Sequence, residues 1–341
     1  MADIAEECAS ASWNSGPAPD VCVGVPTHQR SGFLAAVVAA LEAQTVPRER
    51  LEVIVVDNAS ADDTWETLQK IVASTPLRMR AMRSAENAGV ANSRNTIVRA
   101  ARAPVVAFTD DDCIPSPGWL EALTAPFAAG ADLVQGRVRP DPNDYTPAQP
   151  WARTLWVNNS DWLFESANIA YRRSSFEAAG GFDVLGPDGT ELRRPFGEDT
   201  TLAWRMKAAG MRTVFADDAL VYHRVFPGTF GGWLSELRRR ALFPGLVGRS
   251  PGLRRSLYAG VFLNKTTAAF DLALAGAIAA AIAREPLILL AGIPYLVLRV
   301  RDARGRPGRP VVFRLAQLGV GDVVGFLSLL QGSVRERQIV L

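Results

Sequence analysis

An α/β fold built on a parallel, doubly wound sheet is what this chain predicts, on three observations. Val21-Cys-Val-Gly-Val25, Leu51-Glu-Val-Ile-Val-Val56 and Val105-Val-Ala-Phe108 are short apolar runs dense in β-branched residues. The segments between them carry apolar residues at helical spacing, the alternation expected of crossover helices laid on a sheet. Each run also ends on polar residues, Thr27, Asp57 and Asp110, and in such sheets ligands sit outside the carboxyl ends of the strands.

Taken in order, residues 1–20 are polar, small and acidic, lack the basic and apolar regions of a secretory signal, and read as a loose tail. After the first strand, Phe33, Leu34, Val37, Val38 and Leu41 mark a helix. Asn58-Ala-Ser-Ala-Asp-Asp63 supplies capping residues for a helix through Trp65, Leu68 and Ile71 that ends before Pro76. Residues 88–101 form the helix ahead of the strand that delivers Asp110-Asp111-Asp112, and Pro115-Ser-Pro-Gly118 turns the chain beyond it. A loop over 141–150, a strand at Asn168-Ile-Ala-Tyr171, a short helix over 174–179 and a turn at Gly180-Gly-Phe-Asp183 follow. Glu198-Asp199 opens a helix with the inner face Leu202, Met206 and Ala209, stopped by Gly210. Thr213-Val-Phe-Ala216 and Ala219-Leu-Val-Tyr222 read as two more strands, the second ending at His223. No internal repeat is visible.

From Phe226 the character changes. Of 37 Lys and Arg and 35 Asp and Glu, 16 basic and only 6 acidic residues lie from Phe226 onward, so the front carries about −8 and the back about +10. An acidic front is a poor match for a nucleic-acid backbone, and nucleic acid is set aside as a partner; a basic, apolar back suits an anionic membrane surface. The apolar stretches 268–283 and 287–298, separated by Arg284-Glu285-Pro286, are each shorter than the about 20 residues of a lone span. Arg238, Arg239, Arg240, Arg249, Arg254 and Arg255 before them, and Arg299, Arg301, Arg304, Arg306 and Arg309 after, suit a hairpin with both ends on the cytoplasmic side. Residues 311–341, with Leu315, Leu318, Val323, Val324 and Phe326, read as amphipathic and interfacial. A soluble helical subdomain with buried apolar helices is the alternative. Cys8, Cys22 and Cys113 have neither metal-ligand spacing nor an even disulfide framework, which points to a reducing compartment and makes Cys113 a packing residue. The domains expected are thus a tail over 1–20, an α/β domain over 21–225 and a basic, apolar helical region over 226–341.

Three consecutive acids at a strand end have a chemical use. Oxygen ligands suit Mg²⁺ or Mn²⁺, and the phosphates of a nucleoside diphosphate fill the remaining coordination positions. An acidic, solvated turn is the competing reading of Asp110-Asp111-Asp112 taken alone. The company it keeps decides between them. Pro26-Thr-His-Gln-Arg30, Val55-Val-Asp-Asn-Ala-Ser-Ala-Asp-Asp-Thr64, Asn87-Ala-Gly89 with Arg94-Asn95, Phe108-Thr-Asp-Asp-Asp112 with Pro115, Gly180-Gly-Phe-Asp183 and Gly197-Glu-Asp199 occur in an order that resembles the family 2 glycosyltransferases of the GT-A fold, over about Val21 to His223.

That resemblance implies an inverting, metal-dependent transfer of one sugar from a UDP-, dTDP- or GDP-sugar to a hydroxyl. By similarity Thr27, Arg30 and Asp57 line the nucleoside pocket, Arg94 lies near the nucleotide, Asp110 and Asp112 are the alternate acids of the DXD metal motif with Asp111 beside them, and Asp112 holds the cation, joined by His223. Asp199 is then the general base, with Glu198 and Trp119 on the acceptor side. Each residue has a structural alternative: an Asx turn for Asp57, an exposed helix position for Arg94, a structural histidine for His223, a core position for Trp119, and a helix-dipole partner for Asp199. At a helix start the Asp199 pKa is expected to be lowered, so the acceptor hydroxyl must be held close. Arg238-Arg-Arg240 with Ala-Leu-Phe-Pro-Gly245 matches only in part the segment after the catalytic domain of polymerising relatives, which carries a Trp absent here; transfer of a single sugar follows. The acceptor expected is a lipid-linked sugar or cell-envelope glycan precursor at the cytoplasmic face of the membrane, with specificity set by 140–161 and 186–195. A nucleotidyltransferase is the first rival, but Pro26-Thr-His-Gln-Arg30 is no Gly-rich phosphate loop; a catalytically silent nucleotide-binding scaffold is the second, and none of the acids is missing.

Overall fold

The computed structural model describes residues 3–146, 151–159, 162–184, 196–304 and 310–341. The expected features at Pro147, Gln149, Pro150, Asp161, 186–195, Arg306 and Arg309 lie outside the described residues. Two compact units form, Met1–Tyr145 with Thr154–Val225, and Thr146–Arg153 with Phe226–Leu341.

The first unit contains β1 (Ile4–Ala9), β2 (Val21–Thr27), α1 (Ser31–Glu42), β3 (Leu51–Asp57), α2 (Thr64–Ser74), β4 (Arg78–Ser84), α3 (Val90–Ala100), β5 (Val105–Thr109), β6 (Cys113–Pro115), α4 (Trp119–Ala128), β7 (Leu133–Pro140), β8 (Asn168–Arg172), α5 (Arg173–Ala178), α6 (Glu198–Ala208) and β9 (Thr213–His223). The strands make one sheet in the order β1-β4-β3-β2-β5-β8-β7-β9-β6. Strands β4, β3, β2 and β5 are parallel, and β2 and β3 are buried along their whole length, as a sheet covered on both faces requires. Beyond β5 the sheet is mixed, because β8 enters antiparallel to both β5 and β7 and β6 pairs antiparallel to β9. The parallel expectation therefore holds for β4, β3, β2 and β5 and for the β7/β9 pair, with antiparallel pairing around β8 and at both edges.

Two sequence expectations are corrected here. Residues 4–9 are not a loose tail but an edge strand antiparallel to β4, where Glu6 and Glu7 meet Arg83 and Arg80. The two short strands read at 213–216 and 219–222 are one strand, which runs through Asp217-Asp218 opposite a register shift at Gly136/Arg137.

Chain order places the ligand edge. From β2 the chain winds outward through β3 and β4, then returns to β5 on the other side of β2, so the sheet switches direction between β2 and β5. A crevice opens at the carboxyl ends of the strands at such a point. The switch is tight because residue 24 is Gly: a Cβ there would lie 2.6 Å from Ile97 and 2.9 Å from Phe108, so α3 and the β5 ring can close onto the β2 backbone.

The second unit is helical, with α7 (Phe230–Arg238), α8 (Phe243–Arg249), α9 (Lys265–Ala283), α10 (Ile293–Arg304) and α11 (Val311–Glu336). An Asn264/Thr267 capping box starts α9. The second apolar stretch of the expected hairpin is broken into a 3₁₀ turn, Pro286–Gly292, and α10, with Pro286 and Pro294 at the two starts. The tail beyond 311, expected as interfacial, forms one helix of 26 residues, and by length and composition both α9 and α11 are apolar enough to cross a membrane. Gly321, Gly325 and Gly332 of α11 pack against Trp233, Arg240 and the Ala241 carbonyl. Most of α9 and the 3₁₀ turn is open, with Ile282 79% and Leu287 73% exposed.

Candidate active site

A cleft of about 410 Å³ opens at the switch point, within the range of small-molecule sites. Thr27 at the end of β2 donates its hydroxyl to Asp111 Oδ2 at 2.6 Å, joining the two strand ends that flank the crevice. The loop after β2 is pinned from β3 and α2, with Gln29 N donating to Ser60 Oγ and Arg30 N to Thr64 Oγ1. Arg30 reaches over the acids, 3.7 Å from Asp112 Oδ2.

Asp112 and His223 face one another because β6 pairs with β9 in a register that sets Cys113 beside His223. His223 Nε2 lies 3.5 Å from Asp112 Oδ1, while Nδ1 is 2.7 Å from the Arg224 carbonyl. A carbonyl only accepts, so Nδ1 carries the hydrogen and Nε2 is the ring nitrogen turned toward the carboxylate. Two acceptors face each other, a stable arrangement only with a proton or a metal ion between them. Asp112, Cys113 and His223 present ligand atoms within 4.8 Å of one another. Burial holds the Cys113 thiol well above its usual pKa, with Asp110 and Asp112 adding to it, so the donors readiest to take a cation are the Asp112 carboxylate and the His223 imidazole, with the thiol beside them. That set fits Mn²⁺ better than Mg²⁺, which prefers oxygen alone.

At the far side of the cleft, α6 begins with Glu198 and Asp199, and both line it. Asp199 Oδ1 accepts from Thr200 N at 2.8 Å and Oδ2 from Ser166 N at 3.2 Å. The expected lowering of its pKa is reversed: burial, then Glu198 and Glu165, push it well above the usual range despite Arg94 and the Thr200 amide. The helix terminus loses to desolvation and to like charge.

Arg94 lines the cleft but is not an exposed helix position. It is buried and bridges Asp110 at 3.0 Å and Glu198 at 3.2 Å, tying the triple-acid loop to the start of α6. Asp57 is fully buried and is not among the residues lining the cleft; its Oδ1 accepts from Ser60 N at 3.1 Å and from Ser60 Oγ, holding the turn after β3, its Oδ2 lies 3.6 Å from Arg83 Nε, and its neighbour Asn58 lines the cleft. Trp119 is a core residue, fully buried, with its indole N–H on Asn168 Oδ1 at 2.8 Å; it is not on the acceptor side. The cleft thus brings together Thr27, Arg30, Arg94, Asp110, Asp111, Asp112, Glu198 and Asp199, with His223 behind Asp112. Glu165 and Ser166 were not foreseen; the only sequence signal for them is their place just ahead of the Asn168 strand.

Comparison with known proteins agrees with this arrangement. Residues 22–180 match the family model "Glycosyl transferase family 2". The chain is 28% identical over 211 residues to glycosyltransferase AglE of Haloferax volcanii, covering 61% of this chain and 68% of that protein. It is 30% identical over 224 residues to the pre-mycofactocin glycosyltransferase of Mycobacterium tuberculosis, covering 61% of this chain but only 44% of the relative. In fold it resembles the mannosyltransferase PcManGT from Pyrobaculum calidifontis, solved in complex with GDP-Man and Mn²⁺, with a TM-score of 0.57, 20% identity and coverage of 95% and 90% of the two chains. The switch-point cleft, the DXD-like acids beside it and these matches agree in pointing to glycosyl transferase family 2 over residues 22–180 and to the GT-A fold.

Proposed function

We propose that the protein transfers one sugar from a nucleoside-diphosphate sugar to a hydroxyl by a single displacement that inverts the anomeric carbon. The observation that carries the reading is the opposition across one cleft of Asp112 with His223, suited to a divalent cation, and Asp199, a buried carboxylate suited to take a proton. When bound, Mn²⁺ or Mg²⁺ supplies countercharge to the departing diphosphate. Asp112 and His223 hold it, Thr27 fixes Asp111 beside it, and Arg30 stands at the mouth to meet phosphate oxygens. Arg94 keeps Glu198 and Asp110 in place, and Asp199 removes the acceptor proton as the new glycosidic bond forms. That the PcManGT complex holds GDP-Man and Mn²⁺ supports a nucleotide sugar and a metal here.

Asp199→Asn keeps the shape of the carboxylate and removes its basicity. Transfer should fall by about 10²–10⁴-fold while nucleotide binding, read by thermal shift with Mn²⁺, stays near wild type. Loss of nucleotide binding in the same variant would contradict the assignment. Asp112→Asn should instead abolish the metal-dependent part of the thermal shift. The exposed apolar surface of α9 and the 3₁₀ turn, in a segment rich in arginine, supports work at the cytoplasmic face of a membrane on a lipid-linked or cell-envelope glycan acceptor.

A further inference from the structure

The wall around Asp199 carries groups that the roles above do not use. Glu165 and Ser166 precede β8 and both line the cleft, and the Ser166 amide is the donor to Asp199 Oδ2. Glu165 Oε2 accepts from Gln135 Nε2 at 3.2 Å, which fixes the carboxylate. Ser166 is buried, at 3% exposure, and its hydroxyl has no hydrogen-bond partner among the described residues. A buried hydroxyl without a partner costs free energy, so it stands ready for a ligand group.

We infer that Glu165, Ser166 and Asp199 form the acceptor subsite, and that it takes a neutral, hydroxyl-rich group such as a sugar or polyol rather than a phosphate ester, with Glu165 as a positioning residue for a second hydroxyl beside the attacked one. The inference rests on Asp199 acting as the base. Charge decides the ligand class. Six carboxylates line the cleft, Asp110, Asp111, Asp112, Glu165, Glu198 and Asp199, against the two guanidinium groups of Arg30 and Arg94. Arg94 is engaged with Asp110 and Glu198, and Arg30 stands with Asp112, away from the Asp199 wall. A phosphate brought to Asp199 meets acids, whereas hydroxyl donors find two carboxylates to accept from them. The chemistry agrees: a phosphate oxygen is already anionic and needs no base, but a hydroxyl does. Its proton passes to Asp199, its oxygen bonds to the anomeric carbon, and the bond from that carbon to the diphosphate breaks with the electron pair leaving on the phosphate oxygen. Burial with Glu198 and Glu165 nearby raises the proton affinity of Asp199 for that transfer.

The test uses the full chain with Mn²⁺ and a panel of UDP-, GDP- and dTDP-sugars, following release of the nucleoside diphosphate. Methyl and octyl glycosides, octyl glucosaminide and farnesyl phosphate serve as probes. The glycosides should accelerate release and farnesyl phosphate should not. Glu165→Gln should raise the half-saturating glycoside concentration by about tenfold with kcat within about threefold, as expected for one lost charged hydrogen bond. Ser166→Ala removes a hydroxyl with no internal partner, so it should raise the same concentration about threefold with Tm unmoved. Acceleration by farnesyl phosphate, no acceleration by any glycoside, or half-saturation within twofold of wild type in both variants overturns the inference. Undiminished release in Asp199→Asn would instead remove the base assignment, and this inference falls with it; a dead Asp199→Asn beside unchanged Glu165→Gln and Ser166→Ala sinks the inference alone.

Discussion

A carboxyl group buried among other acids is costly to ionise, and Asp111 shows how far this goes in the cleft. Burial, then Asp112 and Asp110, raise its pKa to about 7 even though Thr27 donates to it and Arg30 is near. Such a group binds its proton more tightly in the native than in the unfolded chain, so its contribution to stability is full below about pH 4 and is lost as the pH rises to about 7. Without added metal, Tm should therefore be higher at pH 5.5 than at pH 7.5, and Asp111→Asn should shrink that difference; an equal difference in both proteins would show that Asp111 ionises normally. The triple acid was legible in the sequence because three like charges at the end of an apolar run have few structural uses. Asp57 was legible only as a strand-end acid, since a carboxylate that holds the following turn, as its Oδ1 holds Ser60, and one that meets a ligand stand at the same place. Trp119 misled for a similar reason: its indole finds a buried partner in Asn168, 49 residues away, which no local pattern announces.

Among the elements, β7, β8 and β9 are knotted together by a single side chain. Asn168 Nδ2 donates to the carbonyls of Arg137 and Ala219 at 2.8 and 2.7 Å, and its Oδ1 takes the Trp119 indole. Room for that amide comes from Gly136, where a Cβ would lie 2.4 Å from Asn168 Nδ2 and 2.5 Å from the Ala219 carbonyl. Gly136→Ala should cost about 2–4 kcal/mol in unfolding by urea, through overpacking and the broken buried hydrogen bonds; a cost under about 0.5 kcal/mol, typical of a surface change, would refute the crowding. The parallel half was readable because β2, β3 and β5 are continuous apolar runs. Strand β4, Arg-Met-Arg-Ala-Met-Arg-Ser, was not, since its arginines are turned to salt bridges with β1 and to carbonyls such as Glu49 O. Asp217-Asp218 looked like a turn and yet lies within β9, where Asp217 pairs with Arg137 of β7.

At the scale of the whole molecule, the helical unit makes a prediction of its own. Full-length protein should co-sediment with anionic vesicles more than with zwitterionic ones, less so in high salt, and Ile282→Asp with Leu287→Asp should release it, since both side chains stand in solvent and neither supports the core. Binding unchanged by the pair would mean that the apolar hairpin is not what meets the lipid. A different consequence follows from the strand that begins the chain. Among the described residues, Ile4–Ala9 alone pairs with the outer backbone of β4. Trimming the protein back to Val21, which the polar look of its first residues invites, would bare a row of amides and carbonyls along that margin, and a second molecule could lay a strand there. The shortened enzyme should then run as soluble aggregates on gel filtration, with its chemistry intact and its solitude lost.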